Sequence, residues 1–229
     1  MKKYMVIMLA AAMAVAAEAQ DKTEVTLGTD LVSSYIWRGQ ELGDVSLQPA
    51  LGVSRAGLSL SAWGSVGLSD PSDAKELDLT LAYSVGGLNV GVTDYWFSVG
   101  NYFDYAAHTT THVWEANVGY DFGPLSAQWY TNIAGDDGVN EDGDRAYSSY
   151  LELAAPFTLG EVDWTASVGV VPFATSFYGT DGFAVTHLGL RASKQLSTSE
   201  SFSLPIYAGL SANPCSERMY FYVGISLGL

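Results

Sequence analysis

After about residue 20, apolar and polar residues alternate with a period of two along most of the chain. In the segment 58–68, Leu58, Leu60, Ala62, Val66 and Leu68 share one face, and Ser59, Ser61, Trp63 and Ser65 share the other. Segment 76–85 sets Leu77, Leu79, Leu81, Tyr83 and Val85 against Glu76, Asp78, Thr80, Ala82 and Ser84. The same division separates Val162, Trp164, Ala166, Val168 and Val170 from Asp163, Thr165, Ser167 and Gly169. It returns in the closing run, where Phe221, Val223, Ile225, Leu227 and Leu229 lie on one side. A helix would bring its apolar residues back every three or four positions, so the pattern predicts strands.

Twelve such runs are expected, near 22–38, 45–54, 57–68, 76–85, 87–98, 112–122, 125–135, 145–155, 161–172, 183–194, 202–211 and 218–229. Each is close to the roughly 9–11 residues that a tilted strand needs to cross a bilayer. The links are sorted by length. Short ones at Arg55-Ala56-Gly57, Gly86-Gly87 and Gly123-Pro124, and a somewhat longer one at 156–160, alternate with long polar ones at 69–75, 99–111, 135–144 and 173–182. Periplasmic turns and extracellular loops of an outer-membrane barrel alternate in this way. The segment 195–201 breaks the pattern, because it reads as a loop where a short turn should fall. The expected fold is all-β, an antiparallel up-and-down transmembrane β-barrel of about twelve strands.

Composition sharpens this reading. Aromatic residues make up 13% of the chain and charged residues only 15%, against roughly 25% charged in ordinary soluble domains. Tyr35, Trp37, Trp96, Phe97, Trp114, Phe173 and Phe221 are expected at the outer membrane interface. Tyr83, Tyr120, Phe122, Phe157, Trp164 and Phe202 are expected at the inner one. Such rings join an apolar body to a polar tip. The first residues carry an export signal: basic Lys2 and Lys3, an apolar run to about Ala17, and Ala17-Glu18-Ala19 as the cleavage site. Residues 1–19 are therefore expected to be a signal peptide and residues 20–229 the barrel domain. The expected location is the bacterial outer membrane, with membrane lipid and lipopolysaccharide as surroundings.

The formal charge of −15 argues against nucleic acid as a partner, since phosphate binding needs clustered Lys and Arg. The single cysteine, Cys215, cannot close an internal disulfide and is expected as a free thiol in a loop.

If the apolar faces meet lipid, the opposite faces meet the lumen. The candidate lumen-lining residues are Arg38, Trp63, Asp78, Glu115, Asn117, Gln128, Tyr130, Glu152, Asp163, Arg191, Tyr207 and Tyr222, with Asn132 and Tyr220 on the same parity. In an open channel they would line water. In a plugged barrel Arg38 and Arg191 would pair with Asp78, Glu115, Glu152 or Asp163. Both arrangements are compatible with twelve strands, because side chains already fill a barrel of about eight. No catalytic, cofactor or metal site is expected. Of three histidines, His108 and His112 fall in or beside a loop, and His187, on the lumen parity, lacks a nucleophile motif. The acidic loop 136–144 does not have the ligand spacing of an EF-hand.

The opening of the barrel region resembles the TorF-like porin family, also called Gcw_chp. The resemblance is carried by Trp37-Arg38-Gly39, Pro49-Ala50-Leu51, Gly57 and Trp63-Gly64, and by the hairpin at 75–92 with Glu76 or Asp78 facing inward. It implies an outer-membrane barrel inserted by the barrel-assembly machinery, although Leu229 stands where a terminal Phe is common. The expected function is a porin-like channel for passive diffusion of small polar solutes or ions. The alternatives are a non-transporting surface or structural barrel and, further off, a barrel hydrolase.

Overall fold

A computed structural model describes residues 22–70, 73, 75–199 and 202–228; the expected signal peptide lies outside them. The alternating segments form β1 (Glu24–Val32), β4 (Ser46–Arg55), β5 (Leu58–Gly67), β6 (Glu76–Val85), β7 (Leu88–Trp96) and β8 (His112–Asp121). They continue as β9 (Ser126–Gly135), β10 (Ser149–Leu159), β11 (Val162–Val171), β12 (Ala184–Ser199), β13 (Phe202–Asn213) and β14 (Arg218–Gly228). A short hairpin, β2 (Tyr35–Trp37) and β3 (Gln40–Gly43), stands apart. Among the described residues there is no helix.

The twelve long strands close into one antiparallel barrel in which each pairs with its chain neighbours. β1 joins β4 in register from Glu24 with Ser54 to Val32 with Ser46, and joins β14 from Gly28 with Gly228 to Val32 with Gly224. Closure leaves no unpaired edge. The expected fold is therefore the observed one.

The links sort by end. Turns at 56–57, 86–87, 122–125 and 160–161 gather at one rim, together with the end of β12, the start of β13, the start of β1 and the end of β14. The long connections 97–111, 136–148 and 172–183 occupy the other. The exception at 195–201 resolves itself. Residues up to Ser199 belong to the strand, and Lys194 through Leu196 pair with Leu204 through Ile206, so the link is short.

Parity is kept around the wall. Leu27, Leu51, Leu60, Leu81, Val118, Leu190, Leu210, Phe221 and Val223 point outward and are exposed. Each sits where burial in an ordinary core would be expected, and the belt they form is too continuous to face water. Near the short-turn rim, outward rings pair up: Tyr120 with Phe122 at 4.7 Å between centroids and Phe157 with Trp164 at 6.2 Å.

Two expectations are corrected. The first strand does not run to residue 38; β1 ends at Val32 and the chain folds into the barrel as β2–β3. Tyr35 and Trp37 consequently lie inside, not at the outer interface: Tyr35 packs on Trp63, and Trp37 on Tyr95 and Tyr178. Phe97 likewise stacks on inward-facing Tyr95. The physical reason is space. A twelve-stranded wall leaves a gap that its own side chains cannot fill, and these aromatic residues fill it at one end.

Candidate functional site: the occluded lumen

The tip of the β2–β3 hairpin is Arg38-Gly39, both at positive φ (49° and 78°). Gly39 is needed there, because a Cβ would overlap the carbonyl oxygen of Thr186. The side-chain amide of Asn213 donates to the Gly39 carbonyl at 3.1 Å, which fixes the tip against the β12–β13 side of the wall. From there Arg38 reaches across to β8. Its guanidinium donates to both carboxylate oxygens of Glu115, at 2.5 and 2.9 Å, and to the Tyr178 hydroxyl. Tyr95 adds a third donor to Glu115 at 2.9 Å. Both charged side chains are almost completely buried, at 7% and 1% exposure.

Aromatic faces sandwich the guanidinium. It lies 4.1 Å from the Tyr130 ring centroid, 4.4 Å from Trp37 and 4.8 Å from Tyr150. Such contacts, together with a bidentate carboxylate, suit the flat and weakly hydrated arginine head far better than lysine. A second inward segment completes the seal. The connections 136–148 and 172–183 are tied together by Val139 and Ser176, and by the Ser148 and Thr175 hydroxyls at 2.6 Å. Their packing delivers Phe177 and Tyr178 onto Trp37. Burial holds the Tyr178 phenol above its ordinary pKa, so it stays neutral beside the ion pair. On the opposite side of the hairpin, the Tyr35 hydroxyl donates to Glu76 at 2.8 Å.

The interior therefore changes along its length. Toward the long-loop rim, inward-facing Ser65, Glu76, Tyr95, Glu115, Asn132, Tyr150 and Ser211 are buried. Further down, Ser59, Thr80, Asn117, Gln128 and Glu152 are half-exposed, and at the short-turn rim Thr26, Thr158 and Asp163 are open to solvent. The wall there is polar. The Gln128 amide donates to Asn89 at 2.7 Å and to Asn117 at 3.1 Å. Between plug and open end lies a cavity of about 340 Å³, roofed by Trp37 and Arg38 and walled by Tyr130, Glu152, His187 and Tyr222.

Every candidate residue on the wall points inward: Trp63, Asp78, Glu115, Asn117, Gln128, Tyr130, Glu152, Asp163, Arg191, Tyr207 and Tyr222. Arg38 also faces the interior, but from the hairpin tip. The structure brings Arg38, Glu115 and Tyr130 together, and sets Glu152 and Tyr222 below them. Arg191 stands apart, stacked 3.9 Å over the Tyr207 ring. Tyr207 and Tyr222 lie flat across Gly224 and Gly209, their partners on the neighbouring strand, which a Cβ at either glycine would prevent.

Sequence reading missed Tyr95, Tyr150 and Tyr178. The first two share the inward parity of Asp78 and Tyr130, their strand partners, so parity carried to those positions would have found them. Tyr178 belongs to a loop, where no periodicity speaks. His112 was expected at a polar surface and is instead fully buried on the outer side of the wall. It lies 2.7 Å from Asp94 and 2.8 Å from the Tyr102 carbonyl, beneath Tyr105. His187 sits between the Ser167 and Ser211 hydroxyls, each at 3.0 Å. With both nitrogens held by hydroxyls, no carboxylate orients the ring as a base.

The loop expected to be acidic is organised by its own backbone. Asp137 accepts from Asn132, Gly138 and Ser148, and Asn140 from the amides of Asp142 and Asp144. Among the described residues no group of three or more His, Cys, Asp or Glu side chains is placed to hold a metal ion. Cys215 is a free, exposed thiol.

A family profile described as "Bacterial protein of unknown function (Gcw_chp)" matches residues 16–206. The chain belongs to the Gcw_chp family. No curated protein matches this Gcw_chp member. Solved structures similar to it include the NanC porin, at 9% identity and a TM-score of 0.47, covering 90% of this chain and 99% of that one. Another is OmpF of Salmonella typhi in complex with daunomycin, at 11% identity and a TM-score of 0.41, covering 91% and 98%. The outer membrane protein OpdK of Pseudomonas aeruginosa aligns at 13% identity and a TM-score of 0.40, covering 87% of this chain and 61% of that one.

Proposed function

We propose that this chain is a bacterial outer-membrane channel of porin type, closed at its extracellular end by the β2–β3 hairpin. In this reading small polar solutes or ions pass when the hairpin swings aside. The carrying observation is the pairing of an outward apolar belt with an interior that is polar and solvent-exposed over its lower half. Lipid solvates the first and water the second, as in barrels that conduct. The short-turn rim, with the start of β1 and the end of β14, then faces the periplasm, and the long loops face outward beside lipopolysaccharide. Insertion by the barrel-assembly machinery follows from the same reading, with residues 1–19 as the export signal. The chain's role is passage, with no bond made or broken.

The plug supports a second reading. A buried bidentate ion pair wrapped in four aromatic rings is the kind of contact that holds a barrel shut, as a non-transporting structural barrel would be. Recording from the purified, folded barrel in planar bilayers separates the two. A channel shows discrete openings interrupted by closures. A permanently silent wild-type barrel that also stays silent once the hairpin is removed belongs to the structural class.

A further inference from the structure

The cavity beneath the plug holds a carboxylate with no ion-pair partner among the described residues. Arg38 forms the roof, but Glu115 takes up its charge from the far side. His187, on the wall, has both nitrogens occupied by serine hydroxyls that can each donate or accept, so the ring needs no charge. Glu152 remains. Among the described residues its sole hydrogen bond is a long one of 3.2 Å from the Tyr150 hydroxyl, and it has no ion-pair partner. Arg191, a lumen cation on β12, lies over Tyr207 toward the short-turn rim and, among the described residues, makes no ion pair either.

The surroundings of Glu152 are aromatic: Tyr130, Tyr150, Tyr222 and Trp37. Three of these rings already hold a guanidinium, that of Arg38, at 4.1–4.8 Å. Tyr222 is half-exposed and lines the cavity, its ring and that of Tyr207 meeting edge to face at 6.4 Å, and its hydroxyl has no protein partner among the described residues. A lone carboxylate within aromatic walls attracts an organic cation doubly, through charge and through the ring quadrupoles.

We propose that this cavity is a binding site for the ammonium or guanidinium head of a small solute, with Glu152 as its counter-ion and Tyr222 as its aromatic wall. The site rests on the reading of the lumen as a solute path, and makes that path selective for organic cations. At about 340 Å³ it holds one head group and not a large substrate. The Arg38 side chain above it is the internal template for what fits.

The test is equilibrium binding to the folded full-length barrel in detergent, followed by the NMR shifts of added probes. Methylguanidinium is expected to bind saturably, whereas acetamide and methanesulfonate, neutral and anionic probes of similar size, are not. Glu152→Gln is expected to weaken methylguanidinium binding about tenfold, while Asp163→Asn at the open rim leaves it within about twofold. Unchanged affinity in Glu152→Gln would overturn the proposal. Should that variant fail to fold, the wild type decides alone: equal binding of the three probes, or none, overturns it. Binding in detergent requires no conduction. A barrel that binds the cation yet never conducts refutes the channel and keeps the site, and one that conducts without binding does the reverse.

Discussion

The two halves of the lumen are built from the same wall and end up opposite in character. Toward the long-loop rim, the interior is as dry as a protein core, with Glu115 and Tyr150 at 1% and 0% exposure. Toward the short-turn rim, the same inward parity carries small and polar residues such as Ser59, Ser61, Asn117 and Ser167, and solvent reaches them. Wall parity alone does not make the difference. The upper half is closed by residues that are not on the wall: Tyr35, Trp37 and Arg38 from the hairpin, and Phe177 and Tyr178 from a loop. In this barrel the wall leaves the lower half accessible to solvent, and the added residues close the upper half.

Removing the added residues should make the two halves alike. Replacing residues 34–43 by a short Gly-Ser link should erase the contrast, making the upper half as wet as the lower. Conductance in planar bilayers should rise at least several-fold, the largest effect expected.

Glu115→Ala should come next. It leaves the buried Arg38 charge without its acid, a loss of about 3–5 kcal/mol if the hairpin stays in place. The hairpin can escape that cost by leaving the lumen, so the variant should show longer openings and faster protease cleavage near Arg38. Replacing both partners by apolar residues of similar size should restore closure.

Gly39→Ala works on the same contact from the other side of the barrel. A Cβ at φ 78° that also meets the Thr186 carbonyl should shift the balance by about 2 kcal/mol toward the open form. The same recordings would read this as an intermediate open time.

The smallest effect belongs to the wet end. Lys194 donates to Glu161 at 2.9 Å on the turn between β10 and β11, and this hydrogen bond holds the Glu161 carboxyl below its ordinary pKa. Its contribution is present above the ordinary carboxylate range and is lost as pH falls through the lowered pKa. Because Glu161 is fully solvated, Glu161→Gln should leave the thermal midpoint essentially unchanged at neutral pH, and any small difference should vanish in acid. A large shift would mean that the short-turn end is held more tightly than its exposure implies.

How much of this was legible in the sequence divides along the same line. The wall was readable, because period-two alternation fixes which face each residue takes once the strands are placed. Asp78, Asn117, Gln128 and Glu152 were placed on the inner face by parity alone. The apparent exception at 195–201 vanished because the polar residues Lys194 and Gln195 still keep strand pairing near the rim. The plug was not readable in the same way. Tyr35 and Trp37 continue the alternation of β1 without a break in pattern, so nothing local shows that the chain turns inward after Val32. Arg38-Gly39 carried the available signal, since a glycine at a positive-φ tip marks a turn and not a strand. Tyr178 had no signal, because its place depends on how two long loops pack on each other. The sealed His112 shows the same limit on the outer face.

The β2–β3 hairpin is the seat on which Phe177 and Tyr178 also pack, so its removal should open the upper half of the lumen. Single-channel recording from the wild type and from the variant lacking residues 34–43, both shown to be folded, tests this most directly. Brief, interrupted openings are expected in the first and a large, steady conductance in the second. Equal conductance in the two, or none in either, would contradict this.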